Sequence, residues 1–425
     1  MWPQRAVSNL ALWNHFDYAK DFLGNFILLV SLNVGISLAS LVLSMIVVFM
    51  FSSSISKPLL HFSYESKAIS KLHVSRGKIL KTRIREVMVL SEAFEKMKTT
   101  LRSFSKFVPK QLVADMVEKG LDIRLGGSFH NNITIFFSDV EDFTTWSEKL
   151  EPQFLIRHVS EYFHALTEEI VREQGTLDKY IGDAVMCFWG APNPIYDAGL
   201  RGCRAAIRCQ ERMRNLRKSW QKDSKPLFRC RIGMHSGSCI IGNIGSIWRL
   251  SYTAIGDSVN LASRLEGQNK YYGTEILISE ETLNQPYAKD MCVTRKIDTV
   301  GVKGKTVGCT VYELIALKDE ISPQTTPLSP RSQMLTPLHA KSMPKLYTTV
   351  KEVNINTKMQ LIQPYEEALS EYFNGNFKKA LQLFSNNCLK IDDQDLASLV
   401  MIERCKEYIV NPPQNWTGVY NSESK

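Results

Sequence analysis

The sequence predicts an α+β domain that one helix anchors to a membrane, and three observations support this prediction. Between residues 132 and 315, short apolar runs typical of strands alternate with longer amphipathic stretches typical of helices. Residues 26–51 form an uncharged apolar run of 26 residues, and about 20 residues suffice to cross a bilayer. Helical periodicity returns at 360–412, after a stretch rich in Pro, Ser and Thr.

Charge and cysteine content narrow the class of protein. The net charge is +9, and residues 57–110 contain 13 Lys and Arg but only four acidic residues. This excess directly follows the apolar run, which is typical of the cytoplasmic flank of a membrane helix and not of a nucleic-acid-binding surface. We therefore predict a single-pass protein of the inner cell membrane, with no nucleic-acid partner and a cytoplasmic C-terminal part. The nine cysteines do not have the spacing of a zinc site or a disulfide framework, which indicates free thiols in a reducing, cytosolic environment.

Three segments precede the α+β domain. Residues 1–25 are predicted to be a short extracytoplasmic N-terminus, and 26–51 the transmembrane helix. At 56–103, Pro58 opens a helix and apolar residues later recur at alternating spacings of three and four, a pattern of parallel coiled coils that predicts a homodimer. The members of this heptad seam are Val87, Leu90, Phe94, Met97, Leu101, Phe104 and Val108. No sensor domain is visible in 1–25, so either a sensor is missing or a membrane-embedded partner supplies the input.

The central region is predicted to be one mixed sheet with helices on one face, entered through an amphipathic helix at 105–120. Its strand candidates are 132–138, 176–181, 184–189, 228–235, 239–244, 249–254, 275–279, 291–298 and 309–315. Its helix candidates are 147–173, 197–218, 257–269 and 279–284.

Two segments follow the central region. Residues 318–350 are predicted to be a disordered linker because they are rich in Pro, Ser and Thr. The tail at 360–412 resembles one TPR-like helix pair followed by a third helix from Leu396 to Tyr408. A single pair cannot bury a solenoid core, so we expect the tail to dock on a neighbouring domain or to dimerise.

Four polar residues lie at positions suited to binding a metal ion or a phosphate. Asp139 and Asp183 each lie at the tip of a strand-like run, and two carboxylates from separate strand ends are a common way to hold Mg²⁺ near a triphosphate. Asn260 and Arg264 are four residues apart and project from one face of a predicted helix. Each residue alone is equally well explained as a turn, cap or solvated position, so the interpretation depends on their combination.

In combination the motifs resemble a known family, the class III nucleotidyl cyclases, and in particular bacterial-type membrane adenylate cyclases. They read Phe137-Ser-Asp-Val-Glu-Asp-Phe-Thr144, Tyr180-Ile-Gly-Asp183 and Tyr252-Thr-Ala-Ile-Gly-Asp-Ser-Val-Asn-Leu-Ala-Ser-Arg264. The resemblance covers residues 105–316 closely and implies a ferredoxin-like or palm-like catalytic domain. The segment 56–103 resembles a HAMP linker more loosely, and a plain dimerising coiled coil fits it as well.

The resemblance assigns metal-binding roles to three residues. It implies that Asp139 and Asp183 bind two Mg²⁺ ions, or Mn²⁺, with the carbonyl oxygen of Val140 as a further ligand. One ion lowers the pKa of the ribose 3′-hydroxyl and the other holds the triphosphate. Asp142 lies where the family often has glycine, and we interpret it as a surface acid.

The resemblance also assigns substrate contacts. It implies that Asn260 positions the ribose, Arg264 stabilises charge on the α-phosphoryl group in the transition state, and Lys303 contacts the leaving triphosphate. Lys305, two residues later, is an alternative to Lys303.

Two positions bear on base recognition. In this family a Lys combined with Asp or Thr marks adenylate cyclases, whereas guanylate cyclases carry Glu with Cys or a similar residue. The chain has Lys179 and Thr253 at these positions, so ATP is the expected substrate.

The family's sites lie between two protomers, so the resemblance implies a homodimer in which one chain supplies the metal acids and its partner supplies the remaining groups. Two alternatives stay open: a guanylate cyclase, and a catalytically silent cyclase-like module that only relays a membrane signal. A diguanylate cyclase is disfavoured, because the hairpin at 180–185 lacks the Gly-Gly-acid-acid-Phe turn of that family.

Overall fold

The structure is a computed structural model that describes residues 4–70, 84–104, 125–246, 248–301, 308–319, 353–414 and 416–420. The chain divides into two compact units, Met1–Leu121 and Asp122–Lys425. Several predictions fall outside the described residues: the 105–120 helix, the linker except at its first two residues, and the segment that holds Lys303 and Lys305.

The first unit begins with one long helix. Helix α1, Gln4–Phe51, runs without a break across the predicted boundary between residues 25 and 26. Its polar side chains bond to carbonyls of the preceding turn, as Asn33 does to Leu29 at 2.9 Å and Ser44 to Leu41 at 2.8 Å. In the described residues, the helical run Phe22–Ile69 is long and apolar enough to cross a membrane.

A wider helical turn links α1 to the next helix. A π-helical turn, Ser52–Ser56, leads into α2, Lys57–Ser70, which has Pro58 in its first turn. Proline has no N–H to donate, so a local change in helical winding is the expected response.

Helix α3, Arg85–Phe104, packs beside α2 in the same direction. Phe62 contacts Phe94 at 5.4 Å between ring centroids, and three residues further along Glu65 contacts the Lys98 ammonium at 2.9 Å. Lys98 is buried and also bonds Glu95, which compensates for removing its charge from water.

The predicted heptad seam on α3 is divided between two faces. Val87 is buried and Phe94 is half-buried, whereas four further members remain exposed within this chain. The exposed members are Leu90, Met97, Leu101 and Phe104. These side chains form an apolar stripe along α3, which is typical of a helix–helix interface.

The second unit is built on an eight-stranded mixed sheet, counted over the described residues. The strands are β1 Gly126–Val140, β2 Thr176–Ile181, β3 Ala184–Trp189, β4 Cys230–Ser246, β5 Arg249–Ile255, β6 Ile276–Ser279, β7 Cys292–Val300 and β8 Cys309–Leu317. Their order is β2-β3-β1-β4-β6-β8-β7, with β5 paired to β4. Among these eight described strands, β4 and β6 pair in parallel and the other pairs are antiparallel.

Helices connect and cover these strands. They are α4 Phe143–Lys149, α5 Pro152–Arg172, α6 Ala198–Lys222, α7 Asp257–Tyr272, α8 Glu280–Leu283 and α9 Ala288–Met291. The tail adds α10 Ile355–Phe373, α11 Phe377–Leu383, α12 Leu389–Ile391 and α13 Leu396–Val410, with a π-helical turn Phe384–Cys388 between α11 and α12.

Alternating side chains of β1 serve two cores. Phe136 and Val140 pack with α5 and α6 on one face of the sheet, while Ile135 and Phe137 pack with α7 and the β4–β5 hairpin on the other. The α+β fold is therefore confirmed, but the prediction of helices on a single face is wrong. Two apolar faces on each central strand require cover on both sides.

Two element predictions also differ from the structure. The predicted strands 228–235 and 239–244 are one strand, β4, because Gly237 between them stays extended and pairs with Ile133 of β1. The predicted helix 147–173 is two helices, because Glu151 caps α5 by accepting from the Phe154 N–H and Pro152 begins it.

The tail docks on the mixed sheet of its own chain. Apolar residues of α7 and of strands β6 to β8 share one buried cluster with α10, α11 and α13. Beneath it, Arg295 of β7 forms two hydrogen bonds to Asp395, at 2.9 and 3.0 Å, and a third to Glu313. Lys358 contacts both acids at 3.2 Å. Removing one partner of such a buried network leaves an uncompensated charge.

We predict that Asp395→Asn lowers the free energy of unfolding by about 3–5 kcal/mol, because Arg295 and Lys358 lose a buried counter-charge. Urea unfolding of the full chain in detergent, followed by tryptophan fluorescence, measures the change. Lys406→Gln is the control, since the Lys406–Glu403 pair on the same helix is exposed and contributes little. Equal midpoints for the two variants would contradict the prediction.

Acid should weaken the same contact. Burial raises the pKa of Asp395, but the charges of Arg295 and Lys358 outweigh it and hold the pKa below its usual range. The stabilisation of the folded state by ionised Asp395 is therefore fully present above about pH 4, the usual pKa of an aspartate. It is lost as the pH falls through the lowered pKa of the folded state.

Candidate active site

A pair of carboxylates lies where β1 ends and where the β2–β3 hairpin turns. Gly182, with φ of 65°, occupies the tight turn, and Asp183 follows it directly. The Asp183 carboxylate accepts a hydrogen bond from the Val140 N–H at 3.1 Å, which ties the hairpin to the end of β1. Asp139, the neighbour of Val140, thereby lies next to Asp183, as the sequence predicts.

The environment of Asp139 disfavours its charged form. Burial, together with the hydrogen bond and negative charge of Asp183 and the charge of Glu266, raises the pKa of Asp139 to about 7. Arg231 opposes the shift and approaches Asp139 at 3.7 Å, but it also faces Glu266 at 3.4 Å. One guanidinium thus faces two carboxylates, with Asp183 beside Asp139 as a third acid, so the site favours additional positive charge.

This donor set fits a divalent cation. Mg²⁺ prefers oxygen ligands and is often held by one or two carboxylates together with substrate phosphates. Asp139 and Asp183 supply such carboxylates. No cluster of three or more His, Cys, Asp or Glu suited to a metal occurs in the described part of the chain, so a cation here would need other oxygen ligands. Asp142 is exposed with φ of 53°, consistent with a surface acid at a position that favours glycine.

A second group of polar side chains lies around Thr253 on β5. The Lys179 ammonium donates to the Thr253 hydroxyl at 3.1 Å, so the structure brings the two predicted base-recognition residues together. The β4–β5 hairpin packs over the sheet face here, with Tyr252 beside Phe188 at 6.3 Å between ring centroids. Asp178, which the sequence analysis missed, accepts from the Thr253 hydroxyl.

Helix α7 presents Asn260 and Arg264 to solvent. Both side chains are exposed, while Leu261 and Leu265, about 100° further round the helix, are buried. Glu266 points back toward Arg231 and Asp139. Residues two apart on a helix project about 200° apart, so Arg264 points away from the carboxylate pair of its own chain.

Gly233 of β4 allows α7 to lie this close to the sheet. A Cβ atom at Gly233 would lie 2.0 Å from the Glu266 nitrogen and 2.6 Å from the Ala262 carbonyl oxygen. Both are backbone atoms of α7, so only glycine permits the contact.

Arg231 and Glu266 belong to the site and were not predicted. Their signals in the sequence are weak: Arg231 is a charged residue within an apolar strand, and Glu266 lies two residues after the motif that ends at Arg264. Lys303, by contrast, lies outside the described residues and stays a prediction.

We predict that Gly233→Ala destabilises the second unit by about 3 kcal/mol or more, because α7 must move away from β4. Gly267→Ala is the matched control on α7, since a Cβ there meets nothing within 4 Å. It should stabilise the helix by about 0.5–1 kcal/mol. Thermal unfolding of both full-length variants provides the comparison, and equal shifts would contradict the proposed close contact.

Comparison with known proteins identifies the domain that carries these groups. Residues 127–316 match the adenylate and guanylate cyclase catalytic domain. The chain is 31% identical over 286 residues to adenylate cyclase 1 of Rhizobium meliloti, which covers 67% of this chain and 42% of that protein. It is 35% identical over 235 residues to an adenylate cyclase of Anabaena cylindrica, covering 53% of this chain and 45% of the relative.

The chain thus spans less than half the length of these two relatives. Among solved structures, the adenylyl cyclase CyaB from P. aeruginosa is 33% identical to the chain. That match covers 45% of this chain and 97% of the other, with a TM-score of 0.41.

Proposed function

Because residues 127–316 belong to the adenylate and guanylate cyclase catalytic domain family, we propose that the chain is an adenylate cyclase that converts ATP to 3′,5′-cyclic AMP and pyrophosphate. The observation that carries the proposal is the Asp139–Asp183 pair at adjacent strand ends, where burial and neighbouring acids disfavour the Asp139 charge and a bound cation would compensate for it. The two relatives described above are named adenylate cyclases, which supports the choice of reaction.

The carboxylate pair accounts for the use of a divalent metal, which class III cyclases generally require. Bound at Asp139 and Asp183, with the Val140 carbonyl oxygen as a further ligand, two Mg²⁺ ions would lower the pKa of the ribose 3′-hydroxyl and neutralise triphosphate charge. Arg231 pairs with the Asp139 carboxylate, and Glu266 in turn pairs with Arg231.

Asn260 and Arg264 fit the reacting end of the nucleotide. Both side chains are exposed and lie one helical turn apart, so both can contact one ligand. In the proposed roles Asn260 orients the ribose, and Arg264 stabilises the charge that develops at the α-phosphoryl group. Lys303 would contact the departing pyrophosphate.

The orientation of α7 supports a shared site. Since Arg264 points away from Asp139 of its own chain, an Arg264 that acts at that pair must come from a second copy. A homodimer with twofold symmetry would then form two equivalent sites. The exposed apolar stripe on α3 supports the same assembly.

Lys179 and Thr253 fit an adenine base. Lysine can only donate hydrogen bonds and the threonine hydroxyl can accept one, which matches the N1 acceptor and the N6 donor of adenine. We assign ATP as the substrate on this basis, with GTP as the competing nucleotide.

A membrane location is proposed from α1. Its apolar run and the basic flank that follows it support a single-pass arrangement with the catalytic domain in the cytoplasm.

The full chain purified in detergent is expected to form cyclic AMP from ATP and Mg²⁺, and to lose this activity when a chelator removes the metal. Asp139→Ala and Arg264→Ala should each reduce kcat by about 10²-fold or more, because each removes charge stabilisation of the transition state. Asp142→Asn, a neighbouring exposed acid, is the matched control and should keep its activity.

Chromatographic identification of the product separates the alternatives. Cyclic GMP from GTP, with no turnover of ATP, would reject the base assignment and leave a guanylate cyclase. Nucleotide binding without any product would reject the enzyme and favour a silent signalling module.

A further inference from the structure

Asp178 is brought to the Thr253 hydroxyl by an irregularity in β2. The pairing between β2 and β3 shifts after Leu177, which faces Cys187, so that Lys179 faces Met186 and Asp178 has no partner on β3. Neighbouring residues of a regular strand point to opposite faces. At this bulge Asp178 and Lys179 both reach Thr253.

The Asp178 carboxylate is deeply buried and has a defined set of contacts. Its side chain is only 1% exposed, and its Oδ1 atom lies 3.4 Å from the Lys179 ammonium without a hydrogen bond. Its Oδ2 atom accepts a hydrogen bond from the Thr253 hydroxyl. An ionised carboxylate can only accept hydrogen bonds.

These contacts determine how the Thr253 hydroxyl can bind a ligand. A hydroxyl has one proton and two lone pairs. The proton is donated to Asp178, and one lone pair accepts from Lys179. A single lone pair remains, so Thr253 can offer a ligand only an acceptor.

We infer that Asp178 is a specificity-determining positioning residue, which makes Thr253 an obligate acceptor for the amino group at C6 of adenine and disfavours the C6 carbonyl of guanine. This inference rests on the proposed cyclase function. Asp178 acts through Thr253 and does not itself touch the base. If guanine bound, the Thr253 hydroxyl oxygen and the C6 carbonyl oxygen would face each other as two acceptors, and neither would be paired. Buried unpaired polar groups are the main source of strong discrimination between similar ligands.

Asp178→Asn tests this inference, because the amide is nearly isosteric but can donate to Thr253 and free the Thr253 proton for a carbonyl oxygen. We expect the ratio of kcat/KM for ATP to kcat/KM for GTP to fall about tenfold or more, as loss of one discriminating hydrogen bond predicts. The kcat/KM values for ATP and for GTP are measured separately, on the full wild-type and variant chains in detergent with Mg²⁺.

Two further variants separate specificity from stability. Thr176→Val is the matched control, because Thr176 lies on the same strand and its buried hydroxyl bonds the Ala191 carbonyl instead. It should leave the ratio unchanged. Asp178→Ala removes the acceptor without adding a donor and should lower the ratio in the same direction.

The outcomes are distinct. A wild-type chain that turns over neither nucleotide rejects the proposed function itself. A wild-type chain that prefers ATP, combined with an unchanged ratio in folded Asp178→Asn, rejects the inference. If both Asp178 variants fail to fold while Thr176→Val folds, Asp178 has only a structural role and the inference is also rejected.

Discussion

The backbone contact between α7 and β4 at Gly233 determines where the candidate catalytic groups lie. It holds the helix so close to the strand that its rotation about its own axis is fixed. One side then carries Glu266 toward Arg231 and the carboxylate pair, and the other presents Asn260 and Arg264 to solvent. Within one chain, Arg264 therefore points away from the carboxylate pair, which is the observation behind the proposed shared site.

The tail is part of the folding unit of the catalytic domain. Its helices complete an apolar cluster that includes the buried side of α7, and the Arg295–Asp395 contact anchors them beneath it. Arg404 extends this connection, because it bonds Tyr272 at the end of α7 at 3.0 Å and pairs with Asp298 of β7. A chain that ends at residue 317 would expose this cluster, so activity measurements should use the full chain.

Much of the architecture could be predicted from local patterns. Strands β2 and β3 and the tail helices follow apolar periodicity, and the pairing of Asp139 with Asp183 follows from their positions at strand ends. Asp178, Arg231 and Glu266 could not be predicted in this way, because each acts through a contact between distant segments. Asp178 needs both the bulge in β2 and the docking of the β4–β5 hairpin. The single strand β4 was missed because pairing with β1 overrides the local effect of Gly237.

Complementation between two inactive variants tests the shared site most directly. Asp139→Ala and Arg264→Ala would be co-expressed as full chains with different tags, and mixed dimers isolated through both tags. If each site takes its acids from one chain and its arginine from the other, a mixed dimer retains one intact site of two and about half of the wild-type activity. Mixed dimers no more active than either variant alone would contradict the account and require a site completed within a single chain.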